Sequence, residues 1–488
     1  MRRLALIATV SLTLAGCVQG PDFQPPEPPV PETWSHSWPG TSALLGAETW
    51  WEAFGDLTLA RLIARARDEN LDVRIALARI SESRAQLAQA GVKLLPTLEA
   101  SSSYNRERPS AKGVLSLTGG SSSVAPLGSS GATAGISRPT ARDFDLFQAG
   151  FDASWEPDFW GKIARGIEAA DAAVLASEEA KRIALGTMAT EIGRNYIALR
   201  GAQADLQTAE QVLALHRRSV SLTASRVRSG FSTDIDLSAA QAAQALAEAN
   251  LAPLRNSVQS YRNAIAQLLV LPPGQLDSEL QPQPIPAFRQ PIPLSLPSEM
   301  ARARPDIRQA EATLHQATAN IGAARADFFP QVTLSGSFAF QALQFSGRNG
   351  LDVWGAHQFA LGPQITVPIF DAGRVEANVH LAEAQQVEAF ESYRRVVLQA
   401  LHEVENDLNA LQQDRARLDA LTAQSVQLEQ SYRLQTRLTQ AGLSDELRQL
   451  DAQRSWLAVL QSVSDAKATV AADQIATLKA LGLAWRVE

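Results

Sequence analysis

The stretch LTLAGC ends on Cys17, the single cysteine of a 488-residue chain. One thiol can form neither an intramolecular disulfide nor a cysteine metal cluster, so its chemistry must come from its position. Arg2 and Arg3 supply a short positive head. Leu4 to Leu14 follow as an apolar run too short to cross a bilayer, and the small residues Ala15 and Gly16 precede the thiol. This is the layout of a secretory signal over residues 1–16. Cleavage ahead of Cys17 would make it the first residue of the mature chain and open it to a covalent lipid, and Leu-Ala-Gly-Cys resembles the bacterial lipobox. Such a lipid holds a protein on a membrane surface without spanning it. Val18, rather than an Asp, after the cysteine favours the outer membrane. A small buried cysteine is the alternative.

No other residue pattern points to bond chemistry. The six histidines (His36, His216, His315, His357, His380 and His402) are scattered, and none forms a His-x-x-x-His pair. There is no Gly-x-Ser-x-Gly, and the glycine-rich stretch at 119–135 lacks the Lys-Ser/Thr of a phosphate loop. We therefore expect no enzyme, no metal and no cofactor beyond the lipid. The net charge of −7 argues against a nucleic-acid surface. Past the signal, no apolar run is long enough for a transmembrane helix.

The chain is instead organised as a duplication. LDVRIALARISESRAQLAQAGVKLLPTLEASSS, Leu71 to Ser103, lines up without gaps with PDIRQAEATLHQATANIGAARADFFPQVTLSGS, Pro305 to Ser337. Asp72/Asp306, Arg74/Arg308, Ala90/Ala324 and Pro96/Pro330 coincide. Further on, Gly161/Gly373, Glu191/Glu403, Gly230/Gly442 and Gln241/Gln453 coincide as well. The first copy carries a longer insertion, the Gly/Ser-rich loop Ser110–Thr140. The expected layout is a signal (1–16), a lipidated extended segment (17–49) and a first repeat (50–280). A Pro-rich linker (281–297), a second repeat (298–483) and a short tail (484–488) complete it.

Each copy predicts the same elements. A helix runs from Leu71 to about Lys93, ended by Pro96. Strand pairs follow, within about 95–157 and about 330–370. VTLSGSFAF alternates Val332, Leu334, Phe338 and Phe340 against Thr333, Ser335 and Ser337. FALGPQITVPIF places Phe359, Leu361, Ile365, Val367 and Ile369 on one face, and Phe147, Ala149, Phe151, Ala153 and Trp155 do the same in the first copy. Gly161–Ser229 and Gly373–Ala441 contain no proline and predict helices of about 100 Å. Return helices are expected over Asp234–Val270 and Asp445–Ala480. Leucines spaced by seven (Leu411/Leu418, Leu421/Leu428) indicate helices that pack on one another.

Four antiparallel strands with one apolar face cannot close a barrel, since even small spanning barrels use about eight, and open strand edges do not survive in lipid. Three chains pooling their strands would close a barrel of about twelve with an aqueous lumen, and the long helices would gather into a hollow tube. A soluble hairpin capping a coiled coil is the alternative.

These segments resemble the outer-membrane factor family, the TolC/OprM/NodT type of trimeric exit duct. The resemblance runs through CVQGPDFQPP after the signal and WWEAFGDLTLARLIARARDENLDVRIALAR (Trp50–Arg79). It continues in RPDIRQAEATLHQATANIGAARADFFPQVTLSGSF (Arg304–Phe338), VPIFDAGRVEAN (Val367–Asn378) and LDAQRS (Leu450–Ser455). It implies an α+β membrane protein, a homotrimeric twelve-stranded β-barrel of four strands per chain that continues into a periplasmic α-helical barrel. It also implies docking with a periplasmic adaptor protein and an inner-membrane pump of the RND or another type, and passive export of drugs or other small molecules. A duct for type I protein secretion and a non-conducting structural lipoprotein are the other readings.

The resemblance assigns the helical tips, SGFSTD (Ser229–Asp234) and AGLSDE (Ala441–Glu446), to the entrance and adaptor contact. Gly230 and Gly442 supply the freedom of a tight helix end. Phe231, Ser232, Leu443 and Ser444 would dock, although Phe231 and Leu443 could equally staple their own hairpins. Asp234, Asp236, Asp445, Glu446 and Asp451 crowd one end, and in a trimer a lumen-facing acid becomes a ring of charge. Asp451 matches the acid of the family's LDAQ motif, which helps hold the entrance closed. The family's Arg-Tyr partner is replaced by Leu438 and Thr439, so Arg226 or Arg437 would take its place.

Overall fold

The computed structural model describes residues 18–35, 50–108, 144–288, 296–345 and 354–482, with 292 and 294. The signal, Cys17, the Ser110–Thr140 loop and the tail lie outside the described residues. A 3-10 turn at Trp50–Phe54 leads into α1 (Leu57–Glu69), α2 (Leu71–Val92), β1 (Thr97–Glu107), β2 (Phe144–Trp155) and α3 (Lys162–Arg228). Then come α4 (Asp234–Ala249), α5 (Leu251–Leu268), α6 (Pro297–Ala303) and α7 (Pro305–Ala326). The chain ends with β3 (Gln331–Phe345), β4 (His357–Thr366), α8 (Arg374–Gln440) and α9 (Glu446–Ala480). Among the described residues, no helix is long and apolar enough to cross a membrane.

These elements form two compact units, each drawn from several parts of the chain. The first takes the residues up to Asp22, Gln86–Ala169 and Thr318–Glu383. The second takes Phe23–Ala85, Ala170–Ala317 and Ala384–Glu488. Compactness therefore cuts across the two copies read from the sequence, because each copy gives its strands to one unit and most of its helical length to the other.

The first unit holds one antiparallel sheet in the order β1-β2-β3-β4. Its register sorts the side chains by face. Leu98, Ala100 and Tyr104 lie opposite Ala153, Phe151 and Phe147, and Phe151 lies opposite Phe338, which lies opposite Phe359. One residue along, Glu99 meets Asp152, Ser154 meets Ser335 and Thr333 meets Gln364. Since the strand period is two, every side chain is thereby assigned to an apolar or a polar face. Pro363 is tolerated because β4 is an edge strand. The sequence predicted this strand through Phe370. It ends at Thr366, so Val367 and Ile369 lie beyond it, and Pro368, with no N–H to give, closes off the pairing.

The segment from Val18 to Asp22 is seated in the same unit. The Arg165 guanidinium, with a side chain only 5% exposed, donates to the Gln19 carbonyl at 3.1 Å and the Asp22 carboxylate at 2.7 Å. The Gly20 and Gly322 backbones pass so closely that a Cβ on either would lie 2.4–2.5 Å from the other segment's backbone. Trp160 stacks on Phe329 at 4.8 Å and donates to the Pro330 carbonyl.

The second unit holds most of α3 and α8, each 67 residues and so about 100 Å long. Its core gathers Leu59, Ile63, Ile192, Ile265, Val397, Val404 and Leu478, all essentially inaccessible. Buried polar nodes fix this core. Asp56 caps α1 and accepts from the Tyr196 hydroxyl at 2.6 Å, while Arg200 donates to the same hydroxyl at 2.8 Å. Burial first, then the bond to Asp56, pushes the Tyr196 phenol up to about 12. Arg304 joins Asp306 and Glu403 at 2.7 Å each and donates to the Ala480 carbonyl at the end of α9.

The return stretch Asp234–Val270, expected as one helix, is two. The break falls at Asn250 because Pro253 cannot donate to the preceding turn and fits only within the first turn of a new helix. Arg304→Ala should leave two carboxylates and a helix-terminal carbonyl without their cation, lowering stability by about 3 kcal/mol. Thermal unfolding of the purified protein in detergent would register this, and Arg304→Lys, lacking the planar fork, should restore only part of it.

Candidate functional site at the helical tips

The two tips share one design. At the end of α3, Gly230 adopts φ +75°, and the Phe231 N–H donates to the Arg226 carbonyl at 2.8 Å. At the end of α8, Gly442 adopts φ +72°, and the Leu443 N–H donates to the Leu438 carbonyl at 2.9 Å. Both are Schellman closures, in which a left-handed glycine lets the chain turn back on the last helical carbonyls. The apolar residue after each glycine is left in solvent: Phe231 is 79% exposed and Leu443 is 76% exposed. Neither staples its own hairpin. Ile235 of α4 is 80% exposed beside them in sequence.

The acids at the tips have separate duties. Asp236 closes the capping box of α4. Its carboxylate accepts from the Thr233 N–H at 2.9 Å and from the Ser232 and Thr233 hydroxyls at 2.8 Å each. The Thr233 backbone bond, then the hydroxyls, holds it below the usual carboxylate range. Asp445 is the N-cap of α9 and forms an ion pair with Arg226 of α3. Partial burial opposes its charge, but the Arg226 hydrogen bond and the Leu447 N–H outweigh that and lower its pKa. Arg218, two turns earlier on α3, grips Glu446 of α9 with two bonds of 2.8 and 3.2 Å. The first tip is thus tied to the second by two arginines of one helix and two successive acids.

The residues expected to form a lock distribute differently. Asp451 pairs with Arg454 of its own helix. Arg226 goes to Asp445, and among the described residues no ion pair joins Arg437 to Asp451. Arg437 and Asp234 are exposed in the last turn of α8 and the first turn of α4. Ser444 accepts from the Gln435 amide across the second tip. Tyr432 stacks on Trp456 at 5.6 Å, pinning α8 to α9. Sequence reasoning missed the Arg218–Glu446 pair. Its signal was the spacing of Arg218 and Arg226, about two turns apart and on one side of α3.

The family described as outer membrane efflux protein matches residues 62–270 and 296–483. The chain belongs to that family. Nodulation protein T of Rhizobium leguminosarum bv. viciae is 30% identical over 95% of this chain and 89% of its own length. Outer membrane protein OprJ of Pseudomonas aeruginosa is 32% identical over 91% of this chain and 88% of its own. The solved outer-membrane channel OprN shares 28% identity with a TM-score of 0.81, across 96% of this chain and 100% of its own. As an outer membrane efflux protein, the chain resides in the outer membrane and extends into the periplasm.

Exposed ion pairs contribute little each, so a double-mutant cycle of Arg226→Ala and Asp445→Ala should give a coupling of about 0.5 kcal/mol, screened by salt. Because the folded pKa of Asp445 lies below its ordinary 3.8, the coupling is present above that value and lost as pH falls through the lower one. Denaturant titrations at neutral and strongly acid pH would show it.

Proposed function

We propose that three copies of this chain form a passive exit duct across the outer membrane for drugs or other small molecules. The observation that carries the reading is the sheet: four strands, one apolar face, one polar face, and two edges, on β1 and β4, that pair with no further strand among the described residues. Unpaired backbone groups cannot face hydrocarbon, and a sheet of four cannot curl into a barrel. Three sheets joined β4 to β1 would close a barrel of about twelve strands with the polar faces, Glu99 and Asp152 among them, turned to water. The recurrence of a 67-residue helix and a glycine-closed tip in each half supports two repeats, at 50–280 and 298–483, joined by the 281–297 linker.

In this reading the helices of the three chains line the periplasmic part of the duct and the tips form its entrance. Phe231 and Leu443, with Ser232 and Ser444 on the turns shaped by Gly230 and Gly442, present apolar points for a periplasmic adaptor, which an inner-membrane pump would load. Arg226 and Asp445 hold the resting entrance together. Asp451, Asp234, Asp236 and Arg437 contribute charge around it. Cys17 would carry the lipid anchor, two residues before Gln19, the first residue held by Arg165.

Single-channel recording in planar bilayers tests the duct. The wild type should show discrete openings, and their frequency should rise several-fold in Arg226→Ala/Arg218→Ala. Silence from inserted wild type and from the tip-loosened variant alike would reject it. Replacing both Phe231 and Leu443 with Asp should abolish docking of the adaptor, read by co-purification, while leaving conductance intact.

A further inference from the structure

The helix α9 is flanked on two sides by acids that meet other acids. Asp465 of α9 is within hydrogen-bond reach of Asp205 on α3, and Asp473 of α9 is within reach of Asp414 on α8. Asp205 Oδ1 and Asp473 Oδ2 are buried and have no hydrogen-bonding partner among the described residues. Two ionised carboxylates at such a separation repel, whereas one proton between them makes an O–H···O bond that holds the pair together. The two positions on α9 are about two turns apart, so the pairs fix both the height and the rotation of that helix.

The surrounding charges do not replace that proton. The groove of about 780 Å³ around Asp205 and Asp465 also receives Glu191 and Arg194 from α3 and Tyr261 from α5. Around Asp473 stand Asp414 and Asp407 of α8, with Arg194 as the cation. Glu403, Lys479 and Arg304 face Asp407 in turn, and Arg304 is already engaged by Asp306 and Glu403. The balance still favours protonation. Burial first, and then Asp465, pushes Asp205 up to about 7. Burial, then Asp414 and Asp407, pushes Asp473 up to about 6, and burial, then Glu403, pushes Asp407 up to about 6.

We propose that α9 is latched to α3 and α8 by protons shared within Asp205–Asp465 and Asp414–Asp473, and that rising pH releases it. The sign follows from linkage. Asp205 and Asp473 hold their protons more tightly with α9 docked than with it free, so docking is strongest below the ordinary carboxylate range. It weakens as pH rises through about 6 to 7. Because Asp445, the partner of Arg226, caps the start of α9, its release loosens the tie between the tips; that consequence alone rests on the duct reading.

Hydrogen exchange on the purified full-length protein in detergent, at about pH 5 and about pH 8 and corrected for the intrinsic chemical rate, tests the latch. The Asp205→Asn/Asp473→Asn variant carries amides that donate a hydrogen bond at either pH. Protection across α9 should fall at least about tenfold in the wild type and by much less in the variant, where Asp407 still titrates, since each unit of raised pKa corresponds to a factor of ten. No fall in the wild type, or an equal fall in both, overturns the latch. Asp465→Asn/Asp414→Asn places the same amides on the opposite partners and must give the same result if the first variant fails to assemble. The readout involves no conduction, so a failed latch leaves the duct reading standing and a silent channel leaves the latch standing.

Discussion

The structure turns on the backbone polar groups along the outer edges of β1 and β4. Each strand is fully paired on one side, β1 from Thr97 to Glu107 against β2, and β4 against β3. The other sides carry N–H and C=O groups that water would satisfy and lipid would not, at several kcal/mol for each group left unmet. The side chains on one face of these strands, Leu98, Phe151, Phe338, Phe359 and Leu361, are suited only to an apolar surrounding. A sheet with that face in hydrocarbon and its edges open is not a stable object, and closing it with further copies meets both demands at once.

The helical unit shows the opposite balance at its core and at its tips. The core is held by groups that cannot leave cheaply: Ile63, Ile192 and Val404 without access to solvent, and Arg304 and Tyr196 buried with all their partners in place. The tips are held by exposed ion pairs and by caps that satisfy their own backbone. Such contacts contribute fractions of a kcal/mol each, so thermal motion can break them without disturbing the core. In the proposed duct, that gradient would let the tips part while the core holds. The acid pairs on α9 lie between the two regimes.

Much of this was legible in the chain because the signals were local. Proline-free runs bounded by Gly161, Gly230, Gly373 and Gly442 placed both long helices to within a residue or two, since a left-handed glycine marks a helix boundary irrespective of tertiary context. Strict alternation in VTLSGSFAF and in Phe147–Trp155 gave strands and faces together. The failures also have local causes. Pro253 starts a new helix inside a stretch whose pattern reads as one, and Pro368 stops a strand whose apolar alternation runs on to Ile369. What periodicity cannot supply is which charge meets which. Asp445 was one acid among five at the tips, and only folding brings Arg226 to it rather than to Asp451. Arg304 stood in a recognisable motif, but its role as the tie between α7, α8 and the end of α9 depends on contacts across 176 residues of chain.

In the proposed duct, other copies of this chain close the open edges of β1 and β4. Since Cys17 is the only cysteine, a Cys17→Ser background allows one cysteine to be placed near the start of β1, at Thr97, and one at the end of β4, at Thr366. Continuing the antiparallel pattern would bring these two positions near each other across neighbouring chains. Oxidation in outer-membrane preparations, followed by denaturing electrophoresis, should give covalent dimers and trimers and then stop. Monomers alone, or a ladder that runs on past three, would contradict a closed three-chain barrel.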